Sequence, residues 1–267
     1  MRVAWLTDLH LNFLRRAELE VFYARLEATE ADAFLIGGDV GEAPSVVDYL
    51  QRIDEAVRRP VYFVLGNHDF YHGSIHGVRR AIGDLCRRRQ RLHYLTTASA
   101  VPLSAGVALI GHDGWADARI GDYQRSEVML NDYRLIAELA NLWKDARRPV
   151  LEALGDAAAA SVRQSLTEAL SLAERVMLLT HVPPWREAAW HEGRHSDDEW
   201  APHFTCQAVG EAVEAIMRAK PDRNLTVLCG HTHGSGESQI LPNVQVITGG
   251  AEYGAPRVQR VFDLDAV

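Results

Sequence analysis

The chain has 267 residues, 47% of them hydrophobic and 24% charged, an ordinary globular composition that excludes collagen-like or disordered chains. A chain of this length buries roughly 70–75% of its extended surface, so one sizeable core is possible, and length alone allows one large domain or two small ones. The 28 basic and 36 acidic residues leave a formal charge of −8, without the net-basic footprint of nonspecific nucleic-acid binding, although bound cations would reverse the local field. Cys86, Cys206 and Cys229 are odd in number and lack C-x-x-C spacing, which argues against a disulfide framework or a zinc knuckle and for a reducing, cytoplasmic setting. No run approaches the length of a membrane span, and Asp8 interrupts an N-terminal apolar stretch too short for a signal peptide.

In chain order, residues 3–6 predict a strand, and Leu19, Phe22, Tyr23 and Leu26 then mark one helix face at i, i+3, i+4, i+7. Residues 33–36 predict a second strand; Val46, Leu50, Ile53 and Val57 predict a helix stopped by Pro60. A strand at 61–65, a helix through Ile75, Val78, Ile82 and Leu85, and a strand at 107–110 follow. From about residue 121 to 174 there is no strand candidate. Met129, Tyr133, Ile136, Ala140 and Trp143 form a helical stripe, and a second helix runs from 157 to 172, which together predict a helical hairpin inserted between two strands. Residues 176–179 and 225–229 predict strands flanking a helix marked by Val209, Val213 and Ile216. After Gly236, residues 238–240, 244–248 and 258–264 read as short strands joined by turns at Pro242-Asn243 and Gly249-Gly250. The alternation predicts a single α/β domain over 1–267 with both sheet faces covered.

The chemistry sits just past the strand candidates. Asp8-Leu9-His10 follows the first, Gly38-Asp39 the second, Gly66-Asn67-His68-Asp69 the third, His181 the strand at 176–179, and Gly230-His231-Thr232-His233 the strand at 225–229. Ligand sites in open α/β sheets form outside the carboxyl ends of strands, so these segments are expected to converge. Carboxylates, an amide and imidazoles without thiolate suit first-row divalent or trivalent metals, with Mn, Fe and Zn all compatible. Seven candidate donors, Asp8, His10, Asp39, Asn67, His181, His231 and His233, exceed what one tetrahedral metal takes, so two metals sharing a carboxylate fit better. Glycines at 38, 66 and 230 would let the backbone approach closely beside these donors.

The ordered series from Asp8 to His233 resembles the calcineurin-like metallophosphoesterase superfamily, with all five motifs present in family order. The resemblance implies a four-layer αββα sandwich of two mixed sheets flanked by helices. It implies Asp8, His10 and His233 at a first metal, Asn67, His181 and His231 at a second, Asp39 bridging both, and His68 facing the substrate as general acid. It implies hydrolysis of a phosphomonoester or phosphodiester by a metal-activated water, most simply with a small-molecule substrate. Two positions depart from the protein phosphatases of the superfamily. Glu42 stands where they have an Asp and could still orient His68; Ala43 stands where they have an Arg and cannot clamp phosphate. The motif also ends in Asp69 rather than Glu.

Two further segments are candidates for substrate contact. Gly111-His112-Asp113-Gly114-Trp115 follows a strand, so His112 or Asp113 could touch substrate or brace the ligands; otherwise it is a glycine-rich turn. The loop 183–204 starts just past His181 and carries Arg194, which could meet phosphate, or it is a solvated loop with aromatic anchors. The competing functions are a binding scaffold that keeps the fold without catalysis, a hydrolase of non-phosphorus esters, and a metal-dependent nuclease. The intact donor set with His68 weighs against the scaffold, and the acidic balance against long nucleic acid.

Overall fold

The computed structural model describes residues 1–266. Its first half lays down β1 (Arg2–Leu6), α1 (Arg16–Ala28), β2 (Ala33–Gly37), α2 (Val46–Val57), β3 (Val61–Val64), α3 (Ile75–Arg88) and β4 (Leu92–Tyr94). β1 through β4 pair in parallel. Next come β5 (Val101–Ser104), β6 (Val107–His112), α4 (Asp132–Leu135), α5 (Lys144–Leu172) and β7 (Arg175–Thr180). A small hairpin, β8 (Trp190–His191) and β9 (Arg194–His195), precedes α6 (Ala201–Phe204), α7 (Gln207–Arg218), β10 (Asn224–Cys229), β11 (Gly236–Leu241), β12 (Val244–Thr248) and β13 (Arg260–Asp263). One five-stranded sheet runs β13-β1-β2-β3-β4, and one six-stranded sheet runs β11-β12-β10-β7-β6-β5. Each mixes parallel and antiparallel pairs.

The period of two along each strand builds the layers. Val3, Trp5, Leu35 and Val64 from one sheet meet Leu109, Met177, Leu179 and Leu228 from the other in the seam between them. The alternate residues Ala4, Leu6, Phe34, Ile36 and Phe63 pack outward on the apolar faces of α1, α2 and α3. On the far side Ile110, Val176, Leu178, Val227 and Val246 meet α5 and α7. Strands buried on both faces read as continuous apolar runs, which is why they stand out in the sequence. The αββα sandwich is therefore observed. Removing most of one side chain in the outer seam, Leu166→Ala on α5, is expected to cost about 2–5 kcal/mol, read from urea denaturation.

The 121–174 region differs from the expected hairpin. Its second arm is α5, which begins earlier than expected, at Lys144, and runs 29 residues as part of the outer helical layer. Its first arm is a series of turns with one short helix, α4. Tyr133 and Ile136 are buried as the stripe requires, but Met129 and Trp143 are 52% and 86% exposed. The backbone here closes local turns, as Leu135 N–H to Asn131 and Ala140 N–H to Ile136, and also pairs with a neighbouring loop: His72 N–H donates to the Leu135 carbonyl and Ala137 N–H to that of Gly73. β4, β5 and the β8–β9 hairpin were not foreseen. They are short, and Pro102 lies inside β5, which its edge position tolerates. No helix among the described residues is long and apolar enough to cross a membrane.

Candidate metal centre

Asp8 and His10 follow β1, Asp39 follows β2, Asn67 and His68 follow β3, His181 follows β7, and His231 and His233 follow β10. These are the three inner strands of one sheet and the two central strands of the other, so both carboxyl edges meet at one place. Asp8, His10, Asp39, His231 and His233 all have positive φ, between 43° and 71°. For non-glycine residues such left-handed backbone costs about 1 kcal/mol or more each, and here it recurs at the sharp turns that aim the donors. Close approach needs the neighbouring glycines. A Cβ on Gly66 would lie 2.1 Å from Asp39 Oδ1, and one on Gly230 would lie 2.0 Å from Asp8 Oδ2.

The seven sequence candidates come together in two halves. Asp8, His10, Asp39 and His233 each place one donor atom within 4.8 Å of the others. His10 Nε2 is 3.0 Å from His233 Nε2, and His233 Nε2 is 3.6 Å from Asp8 Oδ1. In the other half, Asn67 Oδ1 is 3.1 Å from His181 Nε2 and 2.9 Å from His231 Nδ1. Asp39 stands between them: its Oδ2 is 3.7 Å from His10 Nε2 and 3.4 Å from His181 Nε2. Its other oxygen accepts from His68 N–H at 2.9 Å, which fixes the carboxylate's rotation.

The donor set fits cations on internal grounds. Burial, reinforced by neighbouring His181, lowers the His231 pKa to about 4, so this imidazole is neutral and carries one N–H. Yet two acceptors face its nitrogens, the His203 carbonyl at 3.0 Å from Nε2 and Asn67 Oδ1 at 2.9 Å from Nδ1. With the proton on Nε2, the Nδ1 lone pair opposes the Asn67 oxygen, a contact that a cation relieves. The asparagine cannot turn its amide inward, because its Nδ2 donates to Asp132 Oδ1 at 2.7 Å. His181 Nδ1 lies 2.8 Å from the Gly37 carbonyl, which places the N–H outward and the Nε2 lone pair inward. Burial opposes charging His181, but Asp39 overrides this and raises its pKa to about 10, so a metal there competes with a proton.

Three buried carboxylates brace the donors. Asp132 accepts from Asn67 Nδ2 and from Tyr71 Oη, each at 2.7 Å. Asp69 accepts from the Gly41 and Gly66 amides, each at 2.9 Å, and so ties the turn bearing Asp39 to the turn bearing Asn67. Asp113 accepts from Leu65 N–H at 2.8 Å, Tyr94 Oη at 2.5 Å and the Arg79 guanidinium, while its carbonyl accepts from His181 N–H. Asp113 thus takes the bracing alternative foreseen for its segment. Asp132 was missed because it lies in the misread first arm, far in sequence from any motif. Asp132→Ala is expected to weaken metal binding in the Asn67 half about 10–100-fold while sparing the other half, measured by titrating each metal into apoprotein.

The remaining sequence candidates separate. His68 lines an open cleft above the donors, its ring centroid 4.3 Å from that of Tyr71 and 4.6 Å from that of His10. Glu42 does not orient it: the carboxylate takes Asn12 Nδ2 at 3.3 Å and lies 3.8 Å from His72 Nε2. His112 is buried, accepts from Gly114 N–H, and has its pKa lowered to about 4 by burial; it does not reach the cleft. Arg194 is exposed on β9 and also stays off the cleft lining. The loop 183–204 nevertheless overhangs the site through His191, Glu192, Gly193 and Phe204. The cleft holds about 530 Å³, within the range of small-molecule sites.

A two-sheet sandwich with a buried carboxylate–imidazole cluster at its joined carboxyl edges defines a metal-dependent phosphoesterase fold. The family model described as calcineurin-like phosphoesterase matches residues 1–235, and the chain belongs to that family. Among solved structures, the chain is similar to a phosphopantetheinyl hydrolase from Mycobacterium tuberculosis at 14% identity, covering 94% of this chain and 89% of that one with a TM-score of 0.66. It is also similar to a dimetal phosphatase from Danio rerio at 15% identity, covering 94% and 87% with a TM-score of 0.57. At these identities the likeness establishes the fold. A comparison with curated proteins finds no match.

Proposed function

We propose that this chain, as one domain, hydrolyses phosphoester bonds of small molecules with a pair of divalent or trivalent cations. The observation that carries the reading is Asp39 Oδ2, within 3.7 Å of an imidazole nitrogen in each half of the donor cluster. Asp8, His10 and His233 would hold the first cation, Asn67, His181 and His231 the second, with Asp39 placed to serve both. When bound, the cations supply Lewis acidity at the phosphoryl group and a water of lowered pKa. The chain's own task is then to orient the ester and to manage the leaving group. His68 lines the cleft beside Asp39, and neither of its ring nitrogens has a hydrogen-bond partner among the described residues. Its N–H is therefore free to protonate the departing oxygen, the general-acid role. The free thiols of Cys86, Cys206 and Cys229 support a cytoplasmic setting.

The test is a panel of mono- and diesters with protein stripped of metal and reloaded separately with Mn, Fe or Zn. Turnover should vanish on stripping and return on loading. Turnover that survives complete chelation would reject the reading.

A further inference from the structure

The geometry points to a phosphodiester monoanion as the substrate, with its two organic arms against two aromatic walls on opposite sides of the donor cluster. This inference rests on the phosphoesterase reading above and specifies the substrate class.

One wall is Tyr253, on the loop after β12. Its ring centroid lies 4.6 Å from that of His10 and 5.1 Å from that of His233, so it stands over the Asp8 half. Phe13 lies against it at 4.6 Å, and Tyr253 and Phe13 are 48% and 52% exposed. Half-exposed paired aromatics at the mouth of a buried polar site offer a flat apolar face to a ligand. The other wall is Phe204, at the end of α6. It lies edge-on to His231 at 5.3 Å, over the Asn67 half, is backed by Trp200 at 5.1 Å, and is 6% exposed, so only a small part of its ring faces the cleft. Tyr253 and Phe204 both line the cleft.

Charge selects between ester classes. Among the described residues no arginine or lysine lines the cleft, and the carboxylate that does is that of Glu192, on the overhanging hairpin. A monoester carries about −1.5 to −2 near neutral pH and needs a cation for its extra charge, whereas a diester carries a single charge. Without a cationic side chain in the cleft, balancing the phosphoryl charge would fall mainly to bound cations, and a second ester arm replaces the second negative charge with a surface that an aromatic wall can cover. In the reaction, water oxygen bonds to phosphorus and one P–O ester bond breaks. The departing alkoxide or aryloxide takes a proton, releasing an alcohol and a phosphomonoester that the cleft holds poorly.

Two readouts test this. With metal-loaded protein, kcat/KM for bis(p-nitrophenyl) phosphate should exceed that for p-nitrophenyl phosphate at least tenfold; equal or inverted values would overturn the inference while leaving the phosphoesterase reading intact. Independently, calorimetry should show that diphenylphosphinate, a monoanion with two aryl arms and no ester bond, binds about tenfold more weakly to Tyr253→Ala and to Phe204→Ala. Inorganic phosphate should bind wild type and both variants alike. Unchanged diphenylphosphinate affinity in both variants would remove the walls. Wall-dependent binding without hydrolysis of any ester would uphold the walls and reject the phosphoesterase reading.

Discussion

Asp39→Asn is expected to abolish turnover and to lower metal content from two ions per chain to fewer than one. The substitution is nearly isosteric, so packing survives, but the side chain loses its charge and one acceptor. His68 N–H continues to select the oxygen at the Oδ1 position. The amide nitrogen is then forced to the place of Oδ2, between His10 and His181, where it presents N–H to a site that requires a lone pair. Both halves lose their shared anion together. Losing metal-derived stabilisation of several kcal/mol in the transition state corresponds to a rate loss of about 10³-fold or more. Elemental analysis of purified protein, beside a steady-state assay, reads both effects. An Asp39→Asn protein that keeps two ions and wild-type kcat would show that the carboxylate joins nothing.

His68→Ala is expected to separate substrates by their leaving groups. The ring lies on the cleft and outside both donor halves, so its removal should leave metal content unchanged. Esters of ordinary alcohols leave as strongly basic alkoxides and need the proton; their kcat should fall about 10²–10⁴-fold. p-Nitrophenyl esters leave as a stabilised phenolate, and their kcat should fall far less. A linear free-energy plot across leaving groups should therefore steepen in the variant. Equal losses on both ester types would remove the acid role and leave His68 as a packing residue against Tyr71.

The centre was legible because each donor is written next to a strand that the sequence marks strongly. Strands buried on both faces carry unbroken apolar runs, and the polar residue that ends each run stands out, as Asp8 does after Leu6-Thr7 and His181 after Leu179-Thr180. Convergence then follows from the geometry of an α/β sheet, whose parallel inner strands end on one edge. The supporting groups were not legible for the opposite reason. Asp132 reaches Asn67 from 65 positions away, through a segment whose apolar spacing is helical but whose backbone breaks into turns and one four-residue helix, with further bonds to residues 72 and 73. Periodicity reports which side chains are buried; it does not report whether the backbone between them continues as one helix or breaks into turns. Glu42 failed similarly. It stands where the resembling phosphatases have an Asp, which suggested a reach to His68, but its carboxylate accepts from Asn12 Nδ2 and lies 3.8 Å from His72 Nε2 instead. Tyr253 gave no local signal, since an aromatic in a loop comes beside the donors only when the chain folds, whereas Phe204 ends the 183–204 segment that the sequence did single out.

The central claim is that Asp39 joins two cations held by opposite halves of one cluster. Anomalous diffraction from crystals of the manganese-loaded protein tests it most directly. The account predicts two peaks about 3.5–4 Å apart, both within bonding distance of the Asp39 carboxylate, one beside His10 and His233 and the other beside His181 and His231. A single peak, or two peaks of which only one touches Asp39, would contradict it.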